Sequence, residues 1–213
     1  IQKIKPKSKI KIIGTQFHRI NKYSKKYLHK ESDLFFEWYL PFFFNDKKIK
    51  NIKSKYKKIL ADLYDKLNFQ NSFFVHRDYH VQNLMSVKNK IGLIDSQDAL
   101  IGNPAYDLVS LIDDVRIKNS KKTKDQIYNY YLKKNPNFNK KNFLEDFNIL
   151  SIQRNLKIIG IFARLYKRDN KKKYLKLIPY TWKTIEMRME SKLFSELKKI
   201  IDNNISKKKR NFL

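Results

Sequence analysis

The sequence predicts a mostly helical α+β fold with a small β insert. Apolar residues recur at helical spacing through most of the chain, most clearly over residues 48–67, as expected of amphipathic helices that cover a core. Three short apolar runs between residues 73 and 94 interrupt this pattern and are typical of strands. The 213 residues are 41% hydrophobic and 14% aromatic, which suffices for one domain with a substantial core and excludes a disordered chain.

The predicted elements follow one another along the chain. Residues 1–13 alternate Lys and Ile around Pro6 and are expected to be extended or loop. Helices are predicted over residues 25–39, 48–67, 106–115, 124–133, 142–166, 174–189 and 192–205. Strands are predicted over residues 73–75, 84–87 and 91–94, the last two joined by a hairpin-like connection at 88–90. The basic run 206–210 is expected to be a solvated, frayed terminus.

The net charge of +28 comes from 48 basic and 20 acidic residues. Such a charge is typical of proteins that bind nucleic acid or an anionic surface, so a basic nucleic-acid-binding module is one alternative function. However, only 8 of the bases are Arg, and the lysines are spread over nearly every segment. Nucleic-acid readers favour Arg for its planar fork. A Lys-rich composition is the simpler interpretation, and a nucleic-acid partner is not expected.

Other classes of protein are disfavoured by the composition. No run of about 18 apolar residues is present, so no membrane-spanning helix is expected. No signal-peptide pattern follows Ile1. The chain contains no Cys, which excludes disulfides and thiolate metal sites and fits a cytoplasmic location.

Three polar residues lie where chemistry is expected. Residues 91–115 hold five acids and no Lys or Arg, although the chain as a whole is strongly basic. Just before this stretch, the spacing His-Arg-Asp-x-x-x-x-Asn places Asp78 and Asn83 in a loop, and Asp95 follows the last predicted strand. A strand, a tight loop and a second strand would bring all three to one rim. There Asp78 could accept a proton from an attacking hydroxyl, and Asn83 and Asp95 offer oxygen ligands to Mg²⁺.

The motif resembles the catalytic loop of kinase-type phosphotransferases. Residues 94–108, which read Ile-Asp-x-x-x-Ala-x-x-Gly-Asn-Pro-x-x-Asp-Leu, resemble the aminoglycoside phosphotransferase/choline kinase superfamily. Within that superfamily, residues 76–85, 34–40 and 153–165 are similar to the bacterial anomeric kinases of N-acetylmuramate and N-acetylglucosamine. No Ala-Pro-Glu occurs, and eight residues separate Asp95 from Pro104. That leaves no room for a protein-kinase activation loop and favours a small-molecule acceptor. Ser96 stands where an aromatic residue is expected.

The resemblance implies a particular fold and organisation. The chain would be the C-terminal lobe of a protein-kinase-like fold, with the small β insert carrying the catalytic loop. Residues 1–24 would be a linker or remnant after a missing N-terminal lobe, residues 25–205 the lobe itself, and residues 206–213 a basic tail. The four glycines never cluster, so the phosphate-covering loop of such a missing lobe is absent from this sequence.

The resemblance also implies a function. The parent enzyme would use ATP and Mg²⁺ to phosphorylate a sugar, at the anomeric hydroxyl of N-acetylmuramate or N-acetylglucosamine, in cell-wall recycling. An aminoglycoside, choline or another amino alcohol remains an alternative acceptor. Asp78 would be the catalytic residue, and Asn83 and Asp95 the metal ligands.

Six further residues complete the predicted site. The residues expected to support the loop are His76, Arg77 and Asp107. The candidate substrate-binding residues are His80, Asp98 and Arg154. His76 and His80 are four residues apart in a predicted loop without a third ligand, so no zinc pair is expected. Asp113 and Asp114 are expected to be solvated or capping acids.

Overall fold

The computed structural model describes residue 2, residues 6–11 and residues 14–211. It confirms a mostly helical α+β architecture with small sheets. The α-helices are α1 Lys25–Leu34, α2 Asp46–Asp65, α3 Ala105–Ile112, α4 Lys121–Lys134, α5 Lys140–Asp169, α6 Ile178–Arg188, α7 Ser195–Asn204 and α8 Lys207–Arg210. The strands are β1 Lys9–Lys11, β2 Phe17–Arg19, β3 Phe73–Val75, β4 Leu84–Val87, β5 Lys90–Leu93 and β6 Leu100–Gly102.

The strands of the described residues pair in three two-stranded antiparallel sheets. β3 pairs with β6, with Val75 opposite Leu100, and β4 pairs with β5, with Leu84 opposite Leu93. β1 pairs with β2 in a third hairpin. The sequence predicted β3, β4 and β5. β1 lies in the segment that was expected to be extended or loop. The sequence missed β2, whose residues are all exposed and therefore show no apolar face to mark it.

The β4–β5 hairpin has a tighter turn than expected. The predicted connection was residues 88–90, but Lys90 already pairs with Val87 in the ladder. The turn therefore consists of Lys88 and Asn89, whose φ angles are 43° and 61°. Two central residues with positive φ suit the right-handed twist of a two-residue hairpin.

Contacts divide the chain into two compact units. The first unit contains residues 1–24 and 68–147, and the second contains residues 25–67 and 148–213. All six strands, together with α3 and α4, belong to the first unit, whereas α5 contributes to both.

The first unit is tied together by one buried carboxylate near the start of α5. Asp146 is 0% exposed. It accepts hydrogen bonds from the backbone N–H of Asn68 at 2.7 Å, the backbone N–H of Phe69 at 2.9 Å and the side-chain amide of Asn103 at 2.6 Å. The other side-chain atom of Asn103, Oδ1, accepts from the N–H of Ala105 at 3.0 Å. Asp146 therefore fixes the chain ahead of β3 and the start of α3, two segments that lead into the site.

The second unit contains a change of helix type at a glycine contact. The helix predicted over residues 25–39 is α-helical to Leu34, π-helical over Phe35–Tyr39, and then forms a 3₁₀ turn. A Cβ atom added to Gly160 of α5 would lie 2.4 Å from the carbonyl carbon of Leu34 and 2.6 Å from the nitrogen of Phe35. Only a glycine lets the two backbones approach this closely, at the point where the helix widens.

The end of the described chain corrects the expectation of a solvated terminus. Residues 207–210 form α8, and Arg210 is 5% exposed. Its guanidinium forms ion pairs with Glu186 and Asp202 and lies 5.5 Å from the ring centre of Trp182. The sequence did not indicate these contacts of Arg210, because the other three residues of α8 are lysines, and their side chains are partly or fully exposed.

No helix among the described residues combines the length and apolar character that crossing a membrane requires.

Candidate active site

A loop that follows β3 holds the proposed catalytic residue. His76 is 0% exposed. Its backbone N–H donates to Asp107 Oδ2 at 2.8 Å, and the N–H of Arg77 donates to Asp107 Oδ1 at 3.0 Å. Asp107 lies in the first turn of α3 and is 6% exposed. One buried carboxylate therefore fixes the two residues that precede Asp78.

Two residues of the site have a backbone conformation that L-amino acids rarely adopt. The φ angle of Arg77 is 73° and that of Asp95 is 61°. Such conformations cost about 1–3 kcal/mol each and persist where surrounding contacts determine them. At Arg77 those contacts are the hydrogen bond to Asp107 and a bond from its Nη1 to the carbonyl oxygen of Asp98 at 3.1 Å. The guanidinium of Arg77 also lies 5.7 Å from the ring centre of Tyr23.

Asn83 connects the loop to the hairpin. It ends a 3₁₀ turn over Val81–Asn83 and is 7% exposed. Its side-chain Nδ2 donates to the carbonyl oxygen of Asp78 at 2.9 Å. Its own carbonyl oxygen accepts from the N–H of Ile94 at 3.2 Å. Since Ile94 immediately precedes Asp95, hydrogen bonds link Asp78, Asn83 and the residue next to Asp95.

The side chain of His76 contacts the same backbone segment next to Asp95. Its Nε2 lies 2.9 Å from the carbonyl oxygen of Ile94. A carbonyl can only accept, so Nε2 donates and carries the proton. The imidazole thereby holds the backbone next to Asp95 against the base of the catalytic loop.

The residues present fit a hard cation. Nδ2 of Asn83 is used by the carbonyl of Asp78, which leaves Oδ1 as the atom available to a ligand. Within the described part of the chain, Oδ1 of Asn83 and the carboxylates of Asp78 and Asp95 accept no hydrogen bond. Carboxylate and amide oxygens are the protein ligands that Mg²⁺ prefers. No group of three or more His, Asp or Glu side chains that could hold a metal occurs among the described residues, so a metal here would rely on Asn83 as well as on an acid.

Tyr79 packs behind the loop. Its ring centre lies 6.3 Å from that of His76. Burial, and secondarily the charge of Asp107, raises the pKa of the Tyr79 hydroxyl. The Tyr79 hydroxyl therefore stays neutral at neutral pH, and the Tyr79 ring packs against His76.

The candidate substrate-binding residues are placed differently. His80 is part-buried in the loop, and its backbone N–H donates to the carbonyl of Asp78 at 2.9 Å. Asp98 is exposed, and its carbonyl holds Arg77. Arg154 belongs to the second unit, on α5, where it is 4% exposed. The structure thus gathers eight of the nine predicted residues in the first unit, and their roles stay predictions.

Asp113 and Asp114 were expected to be solvated or capping acids; Asp113 does lie at the C-cap of α3, but neither side chain is solvated. Asp113 is 0% exposed and pairs with Lys124 of α4 at 2.9 Å. Asp114 is 1% exposed and pairs with Arg116 at 3.2 Å. Both acids follow the apolar helix α3, whose burial carries them into the interior of the first unit with a cation for each.

Comparison with known proteins agrees with this geometry. The model of a phosphotransferase enzyme family matches residues 15–140, more than half of the chain and all of the candidate loop. The chain belongs to this phosphotransferase family. Within it, the chain is 31% identical over 157 residues to an N-acetylmuramate/N-acetylglucosamine kinase of Caulobacter vibrioides, covering 71% of this chain and 43% of that protein.

Two further members have the same name. The kinase of Pseudomonas aeruginosa is 33% identical over 172 residues, covering 77% of this chain and 50% of that protein. The kinase of Neisseria meningitidis is 34% identical over 165 residues, covering 74% and 49%. The chain therefore spans about half the length of the relatives that it matches.

Proposed function

We propose that the protein to which this chain belongs is an ATP-dependent kinase that phosphorylates the anomeric hydroxyl of N-acetylmuramate or N-acetylglucosamine. One observation carries the proposal: hydrogen bonds link Asp78 to Asn83 and Asn83 to the residue before Asp95, and within the described part of the chain the side-chain oxygens of all three accept no hydrogen bond. The names of the relatives support the choice of acceptor.

Each residue of the linked set has a proposed role. Asp78 orients the acceptor hydroxyl and takes its proton as the hydroxyl attacks the terminal phosphate. Asn83 and Asp95 would hold Mg²⁺, which, when bound, neutralises phosphate charge. Asp107 and His76 act through the backbone by keeping the loop and the Asp95 segment in place. Positioning and electrostatics supply most of the acceleration in reactions of this class.

We further infer that the chain corresponds to the C-terminal lobe of a kinase-like fold. Residues 25–205 would form the lobe, residues 1–24 the linker or remnant after an N-terminal lobe, and residues 206–213 a basic C-terminal segment that includes α8. The relatives are about twice as long as the region matched, and phosphotransferases of this kind cover the phosphates with an N-terminal lobe. The coding sequence upstream of Ile1 tests this: a strand-rich segment with a phosphate-binding Lys is expected, and an unrelated domain would contradict it.

The test of function uses the complete gene product. With ATP and Mg²⁺, we expect transfer of the γ-phosphate to N-acetylmuramate or N-acetylglucosamine, measured as sugar 1-phosphate. Asp78→Asn should reduce kcat by about 10²- to 10⁴-fold because the proton acceptor is lost. Asp125→Asn, which removes an exposed acid from α4, is the matched control and should leave kcat unchanged. Phosphorylation of choline with none of either sugar would overturn the acceptor assignment.

A further inference from the structure

A buried carboxylate links the catalytic loop to an arginine that the proposed reaction does not yet use. Asp114 Oδ2 accepts from the backbone N–H of Val81 at 3.4 Å. Its other oxygen, Oδ1, accepts from the backbone N–H of Arg116 at 3.1 Å and from Nη1 of Arg116 at 3.2 Å. Val81 opens the turn that ends at Asn83. Arg116 is therefore held by the same carboxylate that contacts the catalytic loop.

The guanidinium of Arg116 is only partly used by this contact. Its side chain is 27% exposed, whereas that of Asp114 is 1% exposed. Nε and Nη2 donate to no residue in the described part of the chain. An Arg that is anchored through one nitrogen by a buried acid and keeps further donors on a partly exposed side chain can bind a carboxylate or a phosphate.

The sequence makes this Arg distinctive. No Lys or Arg lies between Lys90 and Arg116, so Arg116 is the first cation after the acid-rich stretch that contains Asp95. Most basic positions of the chain are Lys, and a lysine would supply the charge without the planar fork. By contrast, Arg77 in the catalytic loop lies over the ring of Tyr23 and donates to the carbonyl oxygen of Asp98.

We propose that Arg116 binds the carboxylate of an acidic sugar acceptor and that Asp114 positions it. The inference rests on the proposed function and makes it more specific. N-acetylmuramate carries a lactyl carboxylate that N-acetylglucosamine lacks. Arg116 therefore increases the preference for the acidic sugar, while the neutral sugar is bound without it.

The experiment measures KM and kcat of the complete protein for both sugars. Arg116→Gln is expected to raise KM for N-acetylmuramate by about 10- to 100-fold, the range of a hydrogen-bonded charge pair. KM for N-acetylglucosamine should change by less than about 2-fold, as for a charge that the neutral sugar does not contact. Arg116→Lys keeps the charge and loses the fork, so its KM for N-acetylmuramate should lie in between.

Two controls distinguish a direct contact between Arg116 and the sugar carboxylate from a general effect of removing a charge. Lys118→Gln removes an exposed charge two residues away and should leave both KM values unchanged. The methyl ester of N-acetylmuramate removes the charge from the sugar instead. Wild type should bind the ester more weakly than the acid, and Arg116→Gln should bind the two alike.

The outcomes distinguish this inference from the proposed function. A wild-type protein that phosphorylates neither sugar overturns the proposed function. Suppose instead that the wild-type protein phosphorylates both sugars. If Arg116→Gln or Arg116→Lys then keeps the wild-type preference for N-acetylmuramate, the inference alone is overturned. An equal loss on both sugars also overturns it, because a structural role would act on both. Asp114→Asn should reduce the preference for the acid and also lower kcat for both sugars, since it contacts the loop.

Discussion

Asp107 holds the catalytic loop through two hydrogen bonds, and its removal has a calculable effect. Its carboxylate accepts the backbone N–H groups of His76 and Arg77 at 2.8 and 3.0 Å. In Asp107→Ala, the backbone N–H groups of His76 and Arg77 lose their acceptor next to a buried side chain. Each unsatisfied buried group costs about 1–3 kcal/mol, so the loss in the free energy of unfolding should be about 2–6 kcal/mol. If the loop moves instead, a shift of about 1 Å at Asp78 should lower kcat about 100-fold.

The assay combines urea denaturation with sugar phosphorylation by the complete protein. Asp107→Asn keeps one acceptor oxygen but directs an NH₂ group at the second N–H, so its stability and kcat should lie between those of wild type and Asp107→Ala. Asp125→Asn controls for the loss of a negative charge. Wild-type stability and wild-type kcat together in Asp107→Ala would refute the bracing role.

Three further changes test the packing. Gly160→Ala should lower the free energy of unfolding by about 1–3 kcal/mol or more, because the new Cβ meets the backbone of Leu34 at 2.4 Å. Asp146→Asn should be destabilising by about 2–5 kcal/mol, because one carboxylate accepts four hydrogen bonds, two from Asn68, one from Phe69 and the 2.6 Å bond from Asn103. Burial, and secondarily the charge of Lys57, lowers the pKa of His29 below its usual 6.5. The contribution of neutral His29 to the free energy of unfolding is therefore fully present above about pH 6.5 and declines as the pH falls below that value. His29→Gln should remove this part of the pH dependence.

Each of these changes has a matched control and a contradicting result. Ala163→Gly alters a neighbouring buried α5 position without adding a Cβ, so it measures the loss of helix propensity, about 1 kcal/mol, together with the loss of one buried methyl group. A Gly160→Ala protein as stable as wild type would show that the backbones can separate. Glu145→Gln, next to Asp146 but partly exposed, should have little effect, and equal effects of the two changes would contradict the role of Asp146. A pH profile unaltered by His29→Gln would assign the acid destabilisation to other groups.

The sequence located the candidate loop and the hairpin beside it. The motif spacing placed Asp78, Asn83 and Asp95 in segments that the structure does bring together, because a short loop and a hairpin leave few ways to connect them. It could not predict β6, a three-residue strand that contains Gly102 and is separated along the chain from its partner β3 by residues 76–99. Short strands acquire their partners from tertiary packing, which local patterns do not encode.

Buried charges were the other source of error. Asp113, Asp114 and Arg210 were expected at the surface and are buried in the structure. Each is compensated by a partner at least two residues away, such as Lys124 for Asp113. A polar residue is expected at the surface unless its partner is known, and the partner becomes evident only once the helices are packed.

Metal binding tests the central claim most directly, because the claim is that Asn83 and Asp95 face one cation beside Asp78. Mn²⁺ can replace Mg²⁺ and be followed by electron paramagnetic resonance on the complete protein with a non-hydrolysable ATP analogue. Asn83→Ala and Asp95→Asn should each weaken Mn²⁺ binding by about 10-fold or more, the loss expected for a charge-bearing or polar ligand. Asp78→Asn should bind Mn²⁺ nearly as wild type does while losing phosphoryl transfer. Wild-type Mn²⁺ affinity in the Asp95→Asn protein would contradict the account.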